Sequence, residues 1–248
     1  MRAPRGDLKD GSRAPKGMAM NLQKAIEETN RYYEELEGMS FSDEQVDRWL
    51  GSWFFPFVSL SGRERILDLC CGDGCWSFGL LRAHRDLSVV GVEITEAGVR
   101  MAQQRAEKLR VEKQAKFLVH DCERDLPFPD GEFDLCFARG PFLFNQHDML
   151  RLGCLRLLDH WHCKLKSGGR FVAMYGSKPD RLGLYTPPEE TILPMNLSPR
   201  TSESLCFMGG KYNHTPASFW RPFSALPGVE IVFYQFSHGI HILVTKRQ

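Results

Sequence analysis

Apolar positions in this chain alternate between two rhythms. Short runs rich in Val, Ile, Leu and Phe read as strands, and stretches with apolar residues three and four apart read as helices. The first strand is Arg65–Leu69, followed by strands over 89–93, 115–120, 133–138 and 171–175. Between them the spacing predicts helices over 76–84, over 97–110 with Thr95 as cap, and over 146–165, ended by Gly168-Gly169. Met149, Leu150, Leu152, Leu155, Leu158 and Trp161 turn that last helix toward a core. Strands alternating with helices imply a parallel sheet with helices on both faces. Ligands of such sheets sit at the carboxyl ends of the strands, near the switch point beside the first strand.

The flanks read differently. Residues 20–37 predict a helix capped by Asn21 and stopped by Gly38, and a second begins after Ser42 and runs to about Trp53. Residues 177–213 are rich in Pro and Ser, and a loop of that length in a compact domain is usually functional. A short helix from Thr215-Pro216 carries Phe219, Trp220 and Phe223. Val229–Phe236 and 240–246 then read as a closing antiparallel hairpin around Ser237-His238-Gly239. The domain reading is a disordered leader over 1–17 and a single domain over 18–248, with an N-terminal helical lid (18–60) and a substrate-side insertion (177–228).

Composition narrows the class without choosing a function. A length of 248 residues with 42% hydrophobic and 25% charged residues suits one soluble α/β domain. A net charge of +1 gives no bulk attraction to nucleic acid or an anionic membrane. The first residues have no apolar stretch of a secretory signal, and no run is long enough to span a bilayer. The cysteines, Cys70, Cys71, Cys75, Cys122, Cys136, Cys154, Cys163 and Cys206, form no small-loop framework and read as reduced thiols, so a cytoplasmic location is expected. The Cys70-Cys71-x-x-x-Cys75 cluster has no second pair at zinc spacing, and no metal is expected.

The chemistry concentrates where the first strand ends, in Ile66-Leu67-Asp68-Leu69-Cys70-Cys71-Gly72-Asp73-Gly74. Two glycines allow a tight turn and close approach of the backbone to a ligand, and the next helix aims its free N–H groups there. Alone, this G-x-G fits a dinucleotide site, a methyl-donor site or a plain turn. A dinucleotide fingerprint wants a small residue at position 77, which holds Ser77 rather than Gly or Ala. Asp68 would repel a pyrophosphate and attract a cation.

From this motif through residue 175 the sequence resembles the class I S-adenosylmethionine-dependent methyltransferases, especially those acting on small molecules. Four stretches carry the likeness in order: the strand-one turn, Glu93 at the end of the second strand, residues 121–134 (DCERDLPFPDGEFD) and residues 165–171 (LKSGGRF). The resemblance implies an α/β, Rossmann-like fold with a mostly parallel seven-stranded sheet and a C-terminal antiparallel hairpin. It implies S-adenosylmethionine as cofactor and a small-molecule methyl acceptor as partner, with a homodimer as the candidate assembly and no nucleic acid or membrane partner.

The resemblance also implies roles. Asp68 would face the methionine ammonium, directly or through water. Cys70, Gly72 and Gly74 would offer backbone to the methionine moiety, and Glu93, beside Ile94, would accept from both ribose hydroxyls. Asp121 and the Cys122 N–H would meet the adenine. Residues 138–140 would line the sulfonium, which places Arg139 with the cofactor set; Arg139 could equally grip an acceptor carboxylate or phosphate, or sit in a structural ion pair. Trp76 departs from the pattern, because many members carry another glycine there.

Methyl transfer from a sulfonium is an in-line displacement in which positioning does most of the work, and a base is needed only for a poorly acidic nucleophile. His147 is the first candidate base and His214 the second, with Tyr212 beside it. Tyr32, Tyr33, Phe142, Tyr212 and Trp220 are the candidate lid and substrate residues; Tyr32 and Tyr33 could exclude water and face the sulfonium by cation–π contact. Competing readings are methylation of a macromolecule such as tRNA or protein, a noncatalytic cofactor-binding partner, and a nicotinamide-dependent oxidoreductase.

Overall fold

The structure is a computed structural model that describes residues 16–56, 58–122, 124–139, 163–176, 194–195, 229–236 and 239–246. Two helices come first, α1 (Lys16–Glu35) and α2 (Asp43–Trp49), the second continuing into a wider turn at Leu50–Phe54. Then follow β1 (Arg65–Leu69), α3 (Cys75–Ala83), β2 (Ser88–Glu93), α4 (Glu96–Leu109), β3 (Ala115–Val119), β4 (Phe133–Arg139) and β5 (Leu165–Gly176). The chain closes with a two-residue strand β6 (Pro194–Met195), then β7 (Val229–Phe236) and β8 (Gly239–Lys246). All join one sheet in the order β3-β2-β1-β4-β5-β8-β7-β6.

The first five strands are parallel and the last three antiparallel. This is the expected Rossmann-like sheet of seven strands with its closing hairpin, plus the short β6 at the edge. The order reverses at β1, whose neighbours are β2 and β4, so a crevice opens at the ends of these strands. Both crossovers, β1-α3-β2 and β2-α4-β3, step the same way across the sheet. Right-handed connection therefore puts α3 and α4 on one face. The helix predicted over 146–165 lies almost wholly outside the described residues, as do residues 1–15 of the leader and the helix after Thr215-Pro216; the last two residues of the leader expected over 1–17, Lys16 and Gly17, instead open α1.

The apolar rhythm accounts for the core. β1 is buried along nearly its whole length, as a parallel strand covered on both faces must be. Ile66, Leu67 and Leu69 are fully buried, together with Phe54, Phe78, Phe133, Phe137 and Phe171. Leu50 and Phe54 extend this core into the N-terminal segment, where Phe54 meets Phe137 edge to face at 5.4 Å.

Local signals predict the ends with mixed success. Ser42 caps α2 through a reciprocal capping box with Gln45, as its position suggested. Asn21 does not cap α1, because the helix begins earlier, at Lys16. Gly168-Gly169 does not stand between helix and strand. Both lie inside β5, where residues 166–169 on that strand face only Asp134 on β4. Gly168, at φ +76°, absorbs this bulge.

Candidate active site

The crevice at the switch point is a cavity of about 280 Å³, walled by the β1–α3 turn, the end of β2, the end of β4 and the N-terminal segment. Its floor is the turn Cys70-Cys71-Gly72-Asp73. Gly72 and Gly74 take left-handed conformations at φ +57° and +75°, as does Cys70 at φ +57°, which is uncommon for a residue with a side chain. Two consequences follow. The Gly72 N–H reaches Glu93 Oε2 at 3.1 Å, and the bare Gly72 Cα accepts the lid. A β-carbon there would stand 2.3 Å from the Tyr33 hydroxyl oxygen.

Glu93 lines the cavity at the end of β2 and is 7% exposed. Its Oε1 accepts from the Thr95 N–H and the Thr95 hydroxyl, both at 3.1 Å. This bond explains why Thr95, although it stands at the cap position of α4, caps no backbone group of that helix with its side chain. Asn30 of α1 does so instead: its Oδ1 accepts from the Ala97 N–H at 3.0 Å. Three donors meet the Glu93 carboxylate, and a carboxylate offers about four acceptor positions.

Asp68 lies behind the wall. It is 2% exposed, accepts from the Ser77 hydroxyl at 2.6 Å and does not line the cavity. Burial, reinforced by the carboxylates of Glu93 and Asp73, raises its pKa to about 7 despite the Ser77 bond. Asp73 does line the cavity, together with Glu93, and accepts from the Cys75 N–H at 3.2 Å and from the Ser40 N–H at 2.5 Å. It thereby joins the start of α3 to the lid.

The segment expected to form a lid is α1 and the stretch that follows it, part of which lines the cavity. Tyr33 faces the cavity, whereas Tyr32 is 48% exposed and packs only its edge against Tyr33. Burial, then the nearby Glu93 and Asp73 carboxylates, push the Tyr33 phenol far above its usual range. Tyr33 is therefore a neutral donor and not a base. The thiols behave alike. Cys70 and Cys122 stand 3.9 Å apart, and their contact and then burial raise Cys70, while burial raises Cys71. Neither is a thiolate nucleophile at neutral pH.

Arg139, at the end of β4, completes the wall. Its guanidinium lies 4.0 Å from the centre of the Trp76 ring, 4.8 Å from Phe41 and 5.2 Å from Trp49. Trp76 itself packs against Trp49 and Phe41 with ring centres at 4.8 and 5.4 Å. The bulky residue that replaces a glycine at position 76 is thus the base plate for Arg139.

Of the expected site residues, the fold gathers Tyr33, Cys70, Gly72, Glu93, Ile94 and Arg139 around one cavity. Gly74 lies outside the lining and packs beneath, against Phe117 and Ala102. Cys122 is buried against Cys70, and Asp121 pairs with Arg124 at 3.5 Å; neither lines the cavity. Phe142, His147, Tyr212, His214 and Trp220 lie outside the described residues. The pattern missed Asn30, Ser40 and Asp73. Asp73 had a signal, a carboxylate between two glycines at a helix start. Asn30 and Ser40 had none, because their partners stand 67 and 33 residues away.

Residues 66–169 match the family described as a methyltransferase domain. The chain is 28% identical over 127 residues to a demethylmenaquinone methyltransferase of Oceanobacillus iheyensis, covering 51% of this chain and 50% of that protein. It is 32% identical over 121 residues to a 27-O-demethylrifamycin SV methyltransferase of Amycolatopsis mediterranei, covering 46% and 39%. Among solved structures, an S-adenosylmethionine-dependent methyltransferase of Aquifex aeolicus superposes with a TM-score of 0.54 at 15% identity, over 84% of this chain and 100% of that one. Residues 66–169 thus match a methyltransferase-domain family over less than half of the chain, and the chain shares its fold with that S-adenosylmethionine-dependent structure. The chain spans about half the length of the first of these curated relatives.

Proposed function

We propose that this protein transfers the methyl group of S-adenosylmethionine to a small molecule. The observation that carries the proposal is the joining of the glycine turn to Glu93: one acid at the end of β2 is held against the turn by the Gly72 N–H, under a tyrosine from the lid. The residues fit the cofactor. A carboxylate with acceptor capacity left can receive a sugar hydroxyl, and the left-handed turn lets backbone come close to a ligand. The acids beside the cavity, Glu93 and Asp73, with Asp68 behind them, favour a cation.

When bound, the cofactor supplies an electrophilic methyl group for in-line displacement. The protein's part is placement. Glu93 and the turn hold the donor, the lid keeps water out, and the end of β4 faces the acceptor. Tyr33 and the thiols that line the cavity hold their protons and are not ready bases. A base, where the acceptor needs one, comes from the two histidine candidates, His147 first and His214 second.

A small acceptor is supported by the names of the relatives, which point to demethylmenaquinone and 27-O-demethylrifamycin SV. The near-zero net charge favours it over nucleic acid. No helix among the described residues is long and apolar enough to cross a membrane. The test is calorimetric titration with S-adenosylhomocysteine, followed by methyl transfer from labelled donor to a panel of small acceptors and to tRNA. Tight binding and transfer to a small acceptor support the reading. Absence of binding, or transfer to tRNA alone, rejects it. His147→Ala at saturating donor tests the base: an unchanged rate removes His147 from the mechanism.

A further inference from the structure

The arginines around this domain are mostly paired. Arg65 meets Glu132, Arg82 meets Asp43 and Asp47, and Arg105 meets Asp43. Arg139 differs. Among the described residues it forms no ion pair and no hydrogen bond, and its contacts are the faces of Trp76, Phe41 and Trp49. Burial disfavours its charge, yet an arginine side chain does not lose its proton in a protein, so a cation stays on the cavity wall. Ring faces stabilise a cation but accept none of its five N–H donors in the plane of the guanidinium. Three rings thus fix the orientation of a planar fork that has no acceptor among the described residues.

The sheet order says which ligand the fork meets. The ribose acid stands on β2, one step from β1 on the side of β3. Arg139 stands on β4, one step from β1 on the opposite side, a single residue beyond the level where Leu69 pairs with Ala138. Glu93 and Arg139 therefore mark two ends of the cavity, with the glycine turn between them. A donor anchored at Glu93 and the turn presents its reactive side toward β4.

Building on the reading above, we infer that the methyl acceptor carries an oxyanion, a carboxylate or phosphate, and that Arg139 binds it. A fork of N–H donors matches such groups in bidentate fashion, whereas a quinone or neutral amide leaves the charge unmatched. The inference replaces the alternative of a structural ion pair for Arg139 and separates this residue from the cofactor set.

The test titrates benzoate, phenyl phosphate and benzamide into the full-length protein, with and without saturating S-adenosylhomocysteine. It repeats this with Arg139→Gln and Arg139→Lys. We expect saturable binding of benzoate or phenyl phosphate, and binding of neutral benzamide weaker by at least about tenfold, the scale of a hydrogen-bonded charge. Arg139→Gln should remove the anion preference, Arg139→Lys should keep part of it, and both should bind S-adenosylhomocysteine within about twofold of the parent. Two results overturn the inference. In the first, the unmodified protein binds benzamide as well as benzoate and phenyl phosphate, a comparison that needs no variant to fold. In the second, Arg139→Gln weakens S-adenosylhomocysteine but not 5′-methylthioadenosine, which lacks the amino-acid part; Arg139 then serves the donor's own carboxylate. Absence of S-adenosylhomocysteine binding with an intact Arg139-dependent anion preference would instead reject the methyltransferase reading and leave the anion site standing.

Discussion

The strand ends and the lid build the same cavity by different means. Cys70, Glu93 and Arg139 are placed by the register of three parallel strands, in which Leu69 pairs with both Val92 and Ala138. Backbone ladders and a buried apolar core hold them. The N-terminal segment is placed by apolar packing of Phe41, Val46 and Trp49 and by single polar contacts: Asn30 on the Ala97 N–H, the Ser40 N–H on Asp73, and ion pairs from Asp43 to Arg82 and Arg105. Exposed ion pairs contribute little, so the apolar packing carries the docking after α1 and the two polar pins fix α1 and the turn at Ser40. A site with a stiff floor and a pinned roof can keep its donor geometry while the roof opens to admit ligands.

Substitutions can break this contrast. The largest effect is expected at Glu93, which belongs to both regions through the turn. Glu93→Ala orphans three donors, each costing about 1–3 kcal/mol when buried. It should lower the melting temperature and weaken S-adenosylhomocysteine by roughly 100-fold or more in calorimetry. Affinity within a few-fold of the parent would mean that the floor is not what holds the donor.

The next effect is a pH dependence in the floor. The Asp68 pKa of about 7 lies above its ordinary 3.8, so the folded state holds this proton more tightly than the unfolded state. Its contribution to stability is complete below pH ~4 and is lost as pH rises toward and through 7. Asp68→Asn should therefore flatten the fall in melting temperature between pH 5 and 8, by about 2–4 °C per kcal/mol recovered. Parallel curves for parent and variant would show that Asp68 ionises as freely folded as unfolded.

Asn30→Ala probes the roof alone. Loss of a helix cap costs about 1 kcal/mol. Residues 16–35 should become more sensitive to limited proteolysis while the sheet keeps its melting transition. Cleavage rates equal to the parent would show that the pin is idle. The smallest effect is expected for Tyr32→Ala, whose ring is half exposed: stability should stay within about 0.5 kcal/mol and donor affinity should not change. A clear loss of affinity would place Tyr32, beside Tyr33, in the lid's working face.

Much of the fold was legible because burial repeats with the period of the element that causes it. The first four parallel strands, the four helices α1 to α4 and the closing hairpin stand where the apolar rhythm puts them, within a few residues, and β5 begins six residues before its predicted start. The misplaced boundaries are those set by distant partners. Thr95 was read as a cap from its position, but its hydroxyl goes to Glu93, and Asn30 takes over the cap from another helix. Gly168-Gly169 was read as a stop, yet β4 pairing draws the glycines into a bulge of β5.

By itself, the sequence determined the alternation of strand and helix, the glycine turn after β1 and the acid that ends β2, because each follows from local spacing and steric freedom. Tertiary structure alone decided which of the two early tyrosines faces the cavity, that Asp68 lies behind the wall while Asp73 lines it, and that Arg139 meets three aromatic rings and, among the described residues, no carboxylate. Those outcomes depend on contacts between residues far apart in the chain. No spacing rule encodes such contacts, since they exist only once the sheet has brought the ends of β1, β2 and β4 to one place.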